Sequence, residues 1–98
     1  MEPTGARSPK VNTAFLLMAQ YNAAAVIPVD AVCRDFFSHL TPQQFMRKAN
    51  AGEIDLPITR IEQSQKAAVG VHLLDLADWI DKRREAARKE NDQMHGRR

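Results

Sequence analysis

Leu40-Thr41-Pro42-Gln43-Gln44-Phe45-Met46-Arg47-Lys48-Ala49-Asn50-Ala51-Gly52 carries the start and stop signals of one short helix. Thr41 is a good N-cap, and Pro42 suits the first helical position, where a missing N–H costs nothing. Gln44 stands at N3, where it closes a capping box, and Leu40 and Phe45 are spaced for a hydrophobic staple. Gly52 supplies a left-handed stop just after Ala51. The expected helix therefore runs from Pro42 to about Ala51. Phe45, Met46 and Ala49 turn inward, while Gln43, Gln44, Arg47 and Lys48 share an outer face to which Asn50 adds.

Upstream, Val29, Val32, Cys33, Phe36 and Phe37 recur at helical spacing, with Asp30, Arg34 and Asp35 opposite. Ser38-His39-Leu40 leaves a connection of about three residues, so the pair reads as a helix-turn-helix. Downstream, Ile54, Leu56 and Ile58 share one strand parity, and Val69, Val71 and Leu73 share another. The polar, small segment Gln63 to Ala68 between them suits a hairpin tip. Pro57 cannot donate to a ladder, which assigns the first run to an edge. This hairpin is the expected wing.

Farther out, Asn12-Thr13 caps a dense apolar run, Ala14 to Ala19, expected to form a helix buried on most sides. Ala24 to Pro28 is a short β-leaning stretch closed by proline. A last helix is expected from Leu73 or Leu74, burying Leu73, Leu76, Ala77 and Ile80 with Trp79 beside them. Past Asp81 the sequence keeps high helix propensity but loses its apolar face. The expected fold is mainly α: a small winged helix-turn-helix domain with one two-stranded β-hairpin wing and a charged C-terminal helix. Residues 1–11 read as a flexible arm, 12–81 as the DNA-binding domain and 82–98 as a basic extension.

The 98 residues fit one small domain, and alanine makes up about a third of the 44% apolar residues, so the core is thin. No apolar run is long enough to span a bilayer, and Met1 to Lys10 lacks the apolar segment of a secretory signal. Lone Cys33 leaves no intrachain disulfide and fits a reducing cytoplasm. Net charge is only +2, yet residues 82–98 hold seven Lys or Arg against three acids, leaving the remainder net acidic. That basic end either collects phosphates or is a solvated helix laced with pairs such as Glu85 and Lys89.

Glutamine and asparagine pair with adenine edges, arginine with guanine, and lysine with guanine or phosphate. A helix that enters a major groove presents this mixture. Thr41, Gln43, Gln44, Arg47, Lys48 and Asn50 are therefore candidate DNA contacts, although a solvated helix face has a similar composition. Arg60, Ser64, Gln65 and Lys66 on the wing suit backbone or minor-groove contact; an ordinary polar turn has the same residues. Catalysis finds no inventory: Cys33 lies on the apolar stripe with Phe36 and Phe37, which separates it from Asp35 and His39. The histidines and cysteine have no metal-ligand spacing, the glycines form no phosphate loop, and no cofactor is expected.

Asn12 to Tyr21, Val26-Ile27-Pro28 and Val32-Cys33-Arg34-Asp35-Phe36-Phe37 resemble the pyocin activator protein family. The likeness continues through Leu40-Thr41-Pro42, Phe45, Arg47-Lys48, Ala51-Gly52-Glu53-Ile54, Leu56-Pro57, Arg60-Ile61-Glu62 and Ser64-Gln65-Lys66. It closes with Gly70-Val71-His72-Leu73 and Asp75-Leu76-Ala77-Asp78, covering about Val11 to Arg88. The resemblance implies a bacterial transcriptional activator of phage-tail-like bacteriocin genes that binds repeated promoter elements. It also implies repression by a phage-type repressor until DNA damage. Thr41 to Ile80 is similar to excisionase-type winged helices, including the closing Asp75-Leu76-Ala77-Asp78-Trp79-Ile80. The expected partners are double-stranded promoter DNA, RNA polymerase and a further copy of the chain, in the cytoplasm, at the nucleoid. An architectural excisionase-like role, or a protein-interaction module that binds a repressor or polymerase, remains the alternative.

Overall fold

The computed structural model describes residues 12–63 and 68–96. The elements run α1 (Thr13–Gln20), β1 (Val26–Pro28), α2 (Val29–Phe36), α3 (Pro42–Asn50), β2 (Thr59–Arg60), β3 (Val69–His72) and α4 (Leu73–Met94). The mainly helical class holds, with a small antiparallel sheet beside the helices.

The sheet has three strands in the order β1-β3-β2, so the expected two-stranded wing gains a third member. β1 pairs with β3 through Ile27 opposite Val71 and Pro28 opposite Gly70. Pro28 is tolerated because β1 lies on an edge. Gly70 is what permits the close approach: a Cβ there would stand 2.5 Å from the Ile27 carbonyl oxygen and 2.7 Å from Val26 Cγ1.

On the other side of β3, Thr59 faces Gly70 and Arg60 faces Val69. Ile54 to Ile58 is not a strand, contrary to its alternating pattern. The Leu56 N–H donates to the Ile54 carbonyl at 2.8 Å, a three-residue turn that curls the chain and sends Leu56 into the core. Pro57 then removes the next ladder donor. The ladder starts only at Thr59, and Ile61 N–H extends it to the Ala68 carbonyl.

The core gathers Ile27, Val32, Phe45, Val71 and Leu76, all fully enclosed, with Leu17, Val29, Cys33, Phe37, Leu56, Leu73 and Ala77 around them. Phe37 is its aromatic hub. The Phe37 ring centroid lies 5.0 Å from that of Trp79. The connection between α2 and α3 is five residues, 37–41, rather than three, because Phe37 leaves the helix and accepts the Leu40 N–H at its carbonyl.

α1 departs most from expectation. Asn12 caps it, accepting the Phe15 N–H, and Leu17 is buried, but Phe15, Leu16 and Met18 are exposed. Eight residues give only about two turns, so one stripe reaches the core and the other faces out. Its C-terminal end closes with a bond from Ala23 N–H to the Met18 carbonyl, with Asn22 and Ala23 both left-handed at φ 60° and 63°. Tyr21 then ties α1 to α2: its hydroxyl donates to Asp35, which also receives two N–H bonds from Arg34 and a longer one from Gln20.

β3 passes into α4 with no intervening residue. His72 Nδ1 accepts the Leu74 N–H as the cap, and the Leu73 N–H donates to the Ala25 carbonyl. Thr13 Oγ1 donates to Asp81 Oδ1 at 2.6 Å, fastening the first turn of α1 to the middle of α4. From Lys82 onward α4 is largely exposed and projects from the domain.

Candidate nucleic-acid interface

Helix α3 forms where its punctuation requires. The Gln44 N–H donates to Thr41 Oγ1 at 3.1 Å, and Gln44 Oε1 accepts the Thr41 N–H at 3.0 Å. Both halves of the capping box are therefore made. At the other end Gly52 takes φ +80°, and the Gly52 and Glu53 N–H groups donate to the Ala49 and Lys48 carbonyls. Phe45 locks the inner face into the core, with Met46 and Ala49 half-buried beside it. The helix is held at both ends and along one side.

Gln43, Arg47 and Asn50 are exposed and recur at i, i+4 and i+7, so they form one continuous outer row. Arg47 pairs with no acid among the described residues, which leaves its planar donor fork available. Gln44 and Lys48 form the adjacent row, and the structure alters the reading of both. The Gln44 carbonyl is committed to the capping box, leaving its NH2 donors for a ligand. Lys48 Nζ lies 3.2 Å from Glu53 Oε1, so its charge is shared with a carboxylate that the turn at Gly52 folds back against it.

Thr41 is exposed at the head of the helix, its oxygen accepting the cap bond while its hydroxyl proton stays free to donate. Arg60 is exposed on β2, on the sheet edge opposite β1. Ser64, Gln65 and Lys66 lie outside the described residues. The helix-borne candidates are thus brought together on one face, with Arg60 on a separate strand.

The sequence pattern missed the Lys48–Glu53 pair, because a five-residue separation becomes a contact only when the helix stops and reverses at Gly52. It also missed a half-open groove of about 350 Å³ lined by Phe37, Ile54 and Trp79 together with Asp55, Lys82 and Arg83. Lys82 reaches Asp55 there at 3.5 Å, an exposed pair of small energetic worth. No spacing signal joins residues so far apart in the chain.

Elsewhere, the Cys33 thiol is buried and burial pushes its pKa up, the reverse of an activated nucleophile. Arg34 and then Tyr21 hold the Asp35 carboxyl down to about 2. Among the described residues no three His, Cys, Asp or Glu gather as metal ligands, and no helix is long and apolar enough to cross a membrane.

Comparison with known proteins gives one finding. A family model described as Pyocin activator protein PrtN matches residues 13–87. That span takes in every described element up to the middle of the projecting helix. No curated protein and no solved structure matches the chain.

Proposed function

The chain belongs to the pyocin activator protein family, and on that premise we propose that it binds promoter DNA of bacteriocin genes sequence-specifically and activates them by engaging RNA polymerase. The family assignment supports a regulatory role toward pyocin genes. The proposal extends to induction in the DNA-damage response, which the same resemblance supports.

The observation that carries the DNA-binding reading is the exposed row Gln43, Arg47 and Asn50 on a helix pinned by its cap, its glycine stop and Phe45. A rigid helix with amide and guanidinium tips is what major-groove readout requires, since loosely held side chains lose their discrimination to entropy. Arg47 reads a base edge in this scheme. Lys48 and Arg60 meet phosphates, with Lys48 exchanging Glu53 for the backbone. Thr41 and the Gln44 amide donors lie at the head of the helix, and Ser64, Gln65 and Lys66 are proposed as further contacts on their residue types alone.

Fluorescence anisotropy of the full chain tests this, using the duplex upstream of a bacteriocin cluster and a shuffled duplex. Binding to both should fall with salt, by about 0.9 in logarithmic slope for each phosphate met, while a preference for the promoter duplex persists. Absence of DNA affinity at low salt overturns the reading. Binding without activation of a reporter promoter would instead leave an architectural DNA-bending role.

A further inference from the structure

We propose that the outward stripe of α1 is a self-association surface, through which two copies of the chain pair by their N-terminal helices. Phe15, Leu16 and Met18 are 64%, 54% and 46% exposed on a helix only eight residues long. With Ala19 they cover the side opposite Leu17, which is buried as the helix packs on α4. A helix that is apolar all round is ordinarily enclosed on every side, and in the single chain this one is enclosed on only one.

A second copy is the occupant that fits. Thr13–Gln20 contains no charged side chain, so two such faces meet without like-charge opposition and without desolvating an ion. An acidic or basic partner would find nothing there to pair with. The residues preceding α1 are a poor cover, since Met1 and Val11 are the only large apolar side chains among residues 1–11. α1 packs chiefly on α4, so pairing through it leaves the outer face of α3 open.

Size sets the expected strength. Two turns of helix offer much less than the roughly 800 Å² per partner of a standard stable interface. The pairing is therefore weak and reversible, with a dissociation constant on the order of micromolar or above. It rests on no part of the DNA reading.

Sedimentation equilibrium of the full chain without DNA decides the matter. The wild type should shift from monomer to dimer across the micromolar range, and Phe15→Lys should raise the dissociation constant at least about tenfold, with an unchanged melting temperature at dilutions where both chains are monomeric. Met18→Lys serves the same purpose if the first variant unfolds. A wild type that stays monomeric, or dimers indifferent to both substitutions, overturns the proposal. A monomer that binds neutral phosphatidylcholine vesicles through the same stripe overturns it as well.

Discussion

The Phe37 and Phe45 rings meet with centroids 5.0 Å apart and planes tilted by 53°. The contact joins the residue that leaves α2 to the first inward residue of α3, so the orientation of the candidate DNA-reading helix depends on it. Phe45→Ala should cost about 3–5 kcal/mol, most of what a domain this size has to spare. Urea unfolding followed by the fluorescence of Trp79, the sole tryptophan, would measure it.

Thr41→Ala removes the acceptor for the Gln44 N–H and should cost about 0.5–2 kcal/mol. It also frees the Gln44 side chain from its half of the capping box. Amide exchange should quicken in the first turn of α3 while β3 stays protected. Uniform loss of protection would mean that the cap is not a local device.

Arg47→Ala should weaken binding to the promoter duplex by at least about 1 kcal/mol with no change in melting temperature. Glu53→Gln should instead tighten binding to promoter and shuffled DNA alike, by releasing Lys48 from its 3.2 Å pair. Anisotropy titrations and thermal melts on the same samples separate the two effects. A fall in stability with Arg47→Ala would make that side chain structural.

Burial, and then the Asp35 carboxylate, push the Tyr21 hydroxyl above its ordinary range near 10. A raised pKa means that its bond stabilises the fold below about pH 10 and is lost only as the solution becomes strongly alkaline. Asp35 has the opposite sign. Its carboxyl is held down to about 2, so its contribution is complete above the ordinary value of 3.8 and fades as pH falls toward 2. Tyr21 is the only tyrosine, so tyrosinate absorbance reads it directly. Asp35→Asn should bring that titration down toward normal and flatten the acid limb of the melting curve.

Gly70→Ala should destabilise the sheet by about 1–3 kcal/mol, because the new methyl would stand 2.5 Å from the Ile27 carbonyl oxygen and force backbone of β1 to shift. Chemical denaturation would show the loss. Gly52→Ala acts differently, since nothing lies near that position and the cost comes only from φ +80°.

α3 was legible in the sequence because every signal that bounds it is local. Thr41, Pro42, Gln44 and Gly52 act within one or two turns of themselves. β1 was only half legible: Ala24 to Pro28 looked extended, but its partner became available through Gly70, more than forty residues away. The apolar density of α1 indicated a helix without saying which stripe the domain would cover. For the site, the outer face followed from helical phase. The diversion of Gln44 into the cap and of Lys48 onto Glu53 depended on side-chain geometry that spacing alone does not express.

The junction at His72 and Leu73 has a mechanical corollary. Because β3 becomes α4 with no linker, and the Leu73 N–H is bonded to the Ala25 carbonyl beside β1, β3 and the long helix act as a single lever. Twenty-two residues extend about 33 Å, so a tilt of about 5° at this fulcrum displaces Met94 by about 3 Å. A load that rocks one arm is thereby amplified at the tip of the other.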